Sequence, residues 1–273
     1  MAERKSRRQP AGKEREYSRY YYTMLSVIGV LGFLLVWQML VACGLVSSRY
    51  LAPPTRIILT FIDKLTNPNP DGSSLPVNIF VSLQVSLSGF LLAIAVGIPM
   101  GLFMGWYKGF DRFMRPVFEL LRPIPPVAWI PLTIIWLGIG LWAKAFIIFF
   151  SAFIPCVINS YTGIRMTNQT FINVAKTFGA SNFRMFLRVG LPSSLPMVFA
   201  GVRIALSNSW STLVAAEMLA ANAGLGYMIL MGRQFVRPDI IILGMMVIGV
   251  IGVILTYALT KVEDWLVGWR AGR

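Results

Sequence analysis

Gly89-Phe-Leu-Leu-Ala-Ile-Ala-Val-Gly-Ile-Pro-Met-Gly-Leu-Phe-Met-Gly-Trp106 carries no charge, and its small residues keep one register: Gly89, Ala93, Gly97, Gly101 and Gly105, continued by Gly109. A spacing of four places successive residues on one face of an α-helix. That face has almost no side chain, so another backbone can approach it closely, as helices do in lipid. The stretch predicts a tightly packed helix at membrane depth. It serves equally the interior of one chain or a seam between two copies, and Pro99 predicts a bend within it.

The rest of the chain extends this reading. Its 273 residues are 56% hydrophobic and 13% charged, roughly half the charged share of an ordinary soluble domain. Runs near the ~20 apolar residues needed to cross a bilayer predict six spans, at 24–46, 82–106, 117–139, 143–163, 195–219 and 240–261. The fold class expected is all-α, a polytopic membrane helical bundle of about six transmembrane helices. Residues 1–19 form a basic tail, and 20–273 a single transmembrane domain with a loop at 165–194.

The formal charge of +14 is spread unevenly. With both termini inside, Lys/Arg at 4, 5, 7, 8, 13, 15, 19, 108, 112, 115, 122, 165, 176, 184, 188, 261, 270 and 273 are cytoplasmic. Only Arg49, Arg56, Lys64, Lys144, Arg233 and Arg237 fall outside, with Arg203 inside a span. Such a bias sets orientation and argues against nucleic-acid binding. The long run from Met24, with no small-residue cleavage site after it, reads as a retained span rather than a signal peptide. There is no histidine, and Cys43 and Cys156 lie in apolar runs as packing residues. Metal sites and histidine-based catalysis are therefore not expected, and an intramembrane enzyme lacks its base and paired carboxylates.

Between the spans, the tail is expected to be unstructured to about Glu16, with Tyr17, Tyr20, Tyr21 and Tyr22 as an aromatic anchor. Pro53-Pro54-Thr55 precedes Ile57, Ile58, Phe61, Ile62 and Leu65, one face of a short surface helix capped by Thr55. Asn67 to Ser74 reads as a loop. Arg122-Pro-Ile-Pro-Pro-Val-Ala-Trp-Ile-Pro131 holds four prolines and cannot form a regular helix. It is either a kinked start to the third span or part of a moving gate.

By composition alone the loop at 165–194 reads as no more than an interfacial amphipathic loop, but its turn residues predict a definite shape. Thr170 is expected to cap a helix through Phe178, ended by Gly179 in a left-handed conformation. A second short helix, from Asn182 to Val189, is expected to stop at Leu191-Pro192. Together they form a lever projecting from the membrane.

From about residue 25 onward the chain resembles permease subunits of the nitrate/sulfonate/taurine/bicarbonate class of bacterial ABC importers, most closely the aliphatic sulfonate and taurine permeases. The resemblance rests on this loop, on Arg122 to Leu132, and on Trp210-Ser-Thr-Leu-Val-Ala-Ala-Glu-Met218. The family's coupling motif is Glu-Ala-Ala, three residues, Gly, nine residues, a branched apolar residue, any residue, then Leu-Pro. Ala175, Gly179, Val189, Leu191 and Pro192 fit it, while Asn173 and Val174 depart from the Glu and first Ala.

The resemblance implies a type I ABC-importer permease fold in the bacterial inner membrane. It implies a homodimer, two ATP-binding cassette ATPase subunits and an extracytoplasmic substrate-binding protein. Asn173, Val174, Ala175, Gly179, Ala180, Arg184, Val189, Leu191 and Pro192 would couple to the ATPase. The chain has no phosphate loop; no cofactor is expected on it, and ATP and Mg belong to the partner.

Polar groups inside spans are costly and default to function. Trp129, Arg203, Asn208, Ser211, Thr212 and Glu217 are the residues of a translocation path. Alternatively they make interhelical hydrogen bonds, with Arg203 reaching the interface or a carboxylate such as Glu119. The cargo expected is a small oxyanion, sulfonate- or taurine-like, with nitrate, bicarbonate, cyanate or an aromatic carboxylate as alternatives. A secondary transporter or channel without ATP coupling is the more remote one.

Overall fold

The computed structural model describes residues 11–267, which form eleven α-helices and no strand among them. In order these are α1 Ala11–Ala42, α2 Pro54–Lys64, α3 Leu75–Trp106, α4 Lys108–Leu121, α5 Ile130–Leu137, α6 Leu141–Arg165, α7 Gln169–Thr177, α8 Asn182–Met185, α9 Leu191–Ala220, α10 Leu225–Gln234 and α11 Pro238–Val267. Five stretches are long and apolar enough to cross a bilayer: Met24–Ala42, Leu75–Trp106, Leu141–Arg165, Asn182–Leu219 and Pro238–Leu266. The expected third span is broken. Lys108–Leu121 and Pro126–Leu137 meet at 84°, and only counted together do they make a sixth crossing. Prolines at 123, 125, 126 and 131 remove amide donors and clash with preceding carbonyls, leaving a single 3₁₀ turn at Pro126–Trp129 between the halves.

α6 lies between α3 and α9, and small residues set both contacts. A Cβ on Gly101 would sit 2.4 Å from the Val157 carbonyl oxygen, and one on Gly89 2.6 Å from that of Ala145. Gly97 meets Cys156, and Gly105 meets Ile164. The glycine stripe is thus an interior seam with α6 from Gly89 to Gly105, while nothing approaches Gly109. On the other side of α6, Gly163 faces Ser194 and Met197, and Gly201 of α9 faces Asn159 and the Pro155 carbonyl. Lipid tails are as apolar as these side chains, so association rests on close packing of this kind. Phe90, Leu102, Phe153, Cys156, Val157, Val198 and Leu206 fill the space between the seams.

α1 stands apart. None of its apolar stretch is buried, and its attachments are Trp37, packed on Ala52, Ile57 and Leu243, and Gln38, whose Oε1 accepts from the Thr55 amide (3.4 Å). Tyr21 and Tyr22 are exposed, and Cys43 is exposed rather than packed. The unstructured tail expected to Glu16 lies outside the described residues as far as residue 10; from Ala11 the chain is helical, as its alanine, lysine, glutamate and arginine favour.

Other boundaries also differ from expectation. α3 begins at Leu75, seven residues before 82, because the Pro76 that follows fits a helix's first turn. α2 is capped by Pro53 and not by Thr55, whose amide turns to Gln38 instead. Of its apolar face only Ile57 is buried; Thr60 and Lys64 complete the inward side.

At the α2 end of the bundle several buried polar groups are paired with one another, although Trp37 Nε1 is buried there with no partner among the described residues. Lys64, 1% exposed, bonds to Asp71 and donates to the Ser73 carbonyl (2.7 Å). Asp71 accepts from Asn78 Nδ2 (2.7 Å), and Asn78 Oδ1 accepts from the Gly224 amide (2.9 Å). Asp239 accepts from Thr60 (2.9 Å) and from Arg237 (2.7 Å). A buried charge is tolerated only when so engaged.

Candidate coupling arm and translocation face

The loop after α6 folds as two short helices joined by a left-handed glycine. Asn168, and not Thr170, caps α7: its side-chain oxygen accepts from the Thr170 amide (2.9 Å). At the other end Gly179 has φ +73°, with its amide bonded to Lys176 O and that of Ala180 to Ala175 O. This pair of bonds closes a Schellman turn, which needs the positive φ that glycine alone supplies at no steric cost. Ser181 Oγ then accepts from the Arg184 amide (3.4 Å) and starts α8.

The second helix does not stop at Leu191-Pro192. It widens into a π turn at Phe186–Gly190 and runs on as α9. Pro192 lacks an amide hydrogen and would crowd the carbonyl four residues back; a wider turn just before it lets the helix continue.

No residue of α7 is buried. Phe171 is 61% exposed, Phe178 84% and Phe183 58%, with Val174 and Leu187 beside them. Asn173 and Arg184 are exposed, Ala175, Ala180, Val189 and Leu191 half-buried, and Pro192 exposed. Asn173 accepts from Gln169 Nε2 (3.2 Å), a contact within α7.

The arm is nonetheless rooted firmly. Phe186 stacks on Phe103 (5.3 Å between centroids), Trp106 Nε1 donates to Asn182 Oδ1 (3.0 Å), and Thr167 and Ser193 hydroxyls lie 2.7 Å apart. A Cβ on Gly190 would meet the Trp106 ring at 2.7 Å. These contacts hold the arm on α3 and α9. Sequence reasoning missed these roots and the exposed phenylalanines; the aromatic spacing of Phe171, Phe178 and Phe183 in a basic loop was the available signal.

The six candidate path residues do not converge. Arg203, Asn208 and Ser211 lie on the exposed strip of α9 together with Ser207. Arg203 bonds to Glu263 of α11; Glu119, the carboxylate expected for it, instead lies 3.8 Å from Arg122. Thr212 bonds to Ser151 of α6 (2.7 Å). Trp129 stacks on Phe150 (4.9 Å, 11°), its indole nitrogen buried without a partner among the described residues.

Glu217 faces the interior and is fully buried, accepting from Ser82 Oγ (2.8 Å) and the Gly226 amide (2.8 Å). Gly224 at φ +123° has no room for a side chain, since a Cβ there would touch the Glu217 carboxylate at 2.4 Å. Glu217 thus ties α9 to α3 and to the start of α10.

Beside the exposed strip, a groove of about 540 Å³ lies between α9 and α11; Leu206, Trp210, Val253 and Tyr257 make most of its wall apolar, and Ser207 and Ser211 bring hydroxyls to its α9 side. Hydroxyls and a free amide at membrane depth do not face hydrocarbon stably. This face of α9 suits a water-filled path or another protein surface.

Residues 97–269 match the family described as binding-protein-dependent transport system inner membrane component. The taurine transport system permease protein TauC of Escherichia coli is 35% identical over 248 residues, 89% of each chain. The putative aliphatic sulfonates transport permease protein SsuC of the same organism is 32% identical, covering 88% of this chain and 89% of that one. The bicarbonate transport system permease protein CmpB of Synechocystis is 32% identical over 84% of this chain and 83% of that one. In fold, the chain resembles the MetNI methionine ABC transporter in inward facing conformations, with a TM-score of 0.58 and 21% identity over 71% of this chain and 94% of that one. The chain belongs to the binding-protein-dependent transport system inner membrane components: it is a multi-pass ABC-importer permease subunit of the taurine, sulfonate and bicarbonate class, a translocation component and not an enzyme.

Proposed function

We propose that two copies of this chain form the pathway of an ATP-driven importer for a small oxyanion, sulfonate- or taurine-like. Two ATPase subunits press on the 170–192 arm from the cytoplasm, and a binding protein delivers cargo at the α2 end. The observation that supports the coupling is the arm itself: an apolar surface uncovered among the described residues, rooted through Phe186 and Asn182 on α3 and through Thr167 on α9. Exposed apolar clusters of this kind mark protein contacts. The exposed strip of Ser207, Asn208 and Ser211 supports a path between two copies, since these groups need water or protein opposite them. The basic bias of the loops supports a cytoplasmic side for both termini. The sulfonate preference rests on the names of the relatives TauC and SsuC.

The test is a mild-detergent purification of the tagged chain from native membranes, followed by ATPase and uptake assays on what co-purifies. The expected result is an ATPase at near-equal stoichiometry whose turnover drives taurine or alkanesulfonate uptake, both abolished by Gly179→Val. Uptake that persists without ATP, or in the Gly179 variant, would make the chain a secondary transporter or channel. ATP-driven uptake of nitrate or bicarbonate, but of no sulfonate, would overturn the cargo assignment alone.

A further inference from the structure

Between α4 and the α7 end of α6, with Met104 of α3 also on its wall, lies an open pocket of about 220 Å³. One wall is apolar and includes Phe118 and Val157; the other presents Arg115, Arg122, Tyr161 and Glu119. Tyr161 is its centre. Its hydroxyl oxygen accepts from Arg115 and from Arg165 Nη1 (2.6 Å), and each guanidinium carbon lies 5.4 Å from the ring centroid. A phenol oxygen that accepts twice still has its own hydrogen to donate. Among the described residues no acceptor takes it.

The charges around that hydroxyl are unequal. Three guanidiniums, of Arg115, Arg122 and Arg165, face two carboxylates, of Asp111 and Glu119. Asp111 receives Arg115 Nη2 (2.9 Å), and Glu119 lies 3.8 Å from Arg122. About half of the Arg115 and Arg122 side chains remains exposed (47% and 52%), so N–H groups are left for a ligand.

We propose that this pocket binds a small organic oxyanion, a sulfonate or carboxylate head on a short apolar tail. The head takes N–H groups of Arg115 and Arg122 and the O–H of Tyr161; the tail lies against Phe118 and Val157. The volume falls below the roughly 300 Å³ at which pockets for drug-sized ligands begin, which suits a cargo of a few carbons. An inorganic anion would leave the apolar wall uncovered. The assignment rests on the importer reading for the ligand's role: at the end bearing the coupling arm, this is the cargo's last contact before release.

The test uses the full-length chain in phosphatidylcholine nanodiscs, titrated with butanesulfonate, with sulfate as the tail-free control and butylammonium as the charge control. Butanesulfonate binds saturably, sulfate at least about tenfold more weakly, and butylammonium not at all. Tyr161→Phe keeps the ring between both guanidiniums and removes only the hydroxyl. It weakens butanesulfonate about tenfold, as expected for one charge-assisted hydrogen bond. Phe118→Ala weakens butanesulfonate and leaves sulfate unchanged. Arg115→Gln abolishes binding, and if that variant fails to fold, the more exposed Arg122→Gln carries the same test.

The proposal is overturned if no saturable binding occurs or if Tyr161→Phe and Arg122→Gln bind as the wild type does. It is equally overturned if phosphatidylglycerol, and not butanesulfonate, occupies the site, which would then be a lipid-headgroup site. Lost binding with ATP-driven uptake intact defeats this inference alone. Binding intact in a chain whose uptake ignores ATP defeats only the importer reading.

Discussion

At the α2 end, Lys64, Asp71, Asn78, Ser82, Glu217 and Asp239 are all buried, and each is hydrogen-bonded or ion-paired to a neighbouring element. At the α7 end, α7 buries nothing, and Phe171, Phe178 and Phe183 stand uncovered on an arm that turns at one glycine. A buried charge network is satisfied in only one arrangement, so it fixes the relative positions of α2, α3, α9, α10 and α11. An uncovered apolar surface fixes nothing until something docks on it. The α2 end is held by polar groups paired across its helices, while the α7 end has its geometry set by caps and an apolar surface left uncovered.

Substitutions that separate stability from coupling test this contrast. Lys64→Ala should have the largest effect, leaving Asp71 buried without its cation at a cost of about 3–5 kcal/mol. It should lower the unfolding temperature of the detergent-solubilised chain or prevent its accumulation. An unchanged melting temperature would mean that the α2 end is not held by this network.

Gly101→Val, midway between the ends, drives a side chain into the Val157 carbonyl, where backbone cannot yield. Overpacking of that kind costs about 1–3 kcal/mol or more, and should appear as both lower stability and lost uptake. Gly179→Val should behave differently. Its left-handed φ costs a side-chain-bearing residue about 1–2 kcal/mol, all of it in the arm. The melting temperature should therefore stay near wild type while uptake and stimulated ATPase activity vanish.

The smallest effect belongs to Asn168→Ala, which removes the α7 cap at about 1 kcal/mol. Partial uncoupling with full assembly is expected, measured as ATP hydrolysed per cargo imported. A drop in melting temperature for either arm variant, comparable with that of Lys64→Ala, would erase the distinction between the ends.

Much of the α7 end is legible in the sequence, because caps and glycine turns are local. The left-handed stop expected at Gly179 is present. The cap expected at Thr170 is instead Asn168, two residues earlier, since either residue type suits the role and only the backbone shows which precedes the first turn. Pro192 predicts a helix end, as proline usually does; a π turn, which no local pattern announces, carries the helix through.

The α2 end was far less legible. Lys64 looked like one more outer-side charge, and Asp71 like part of a loop. Its place in a span suggests the path for Glu217, whereas the side chain closes a buried junction with Ser82 and Gly226. Its partners lie on α3 and at the start of α10, and pairing at that sequence separation leaves no periodic trace.

The sequence by itself determined the membrane class, five of the crossings, the close-packing stripe and the turn at Gly179. Each depends on hydropathy, spacing or backbone preference over a single helix's length. Only the tertiary structure decided that the stripe meets α6, that Arg203 pairs with Glu263, that the third crossing breaks at 84°, and that Lys64 is buried. A helix face records that it wants a close neighbour, or a charge that it wants a counter-charge. Which neighbour arrives is settled by how all the helices pack at once.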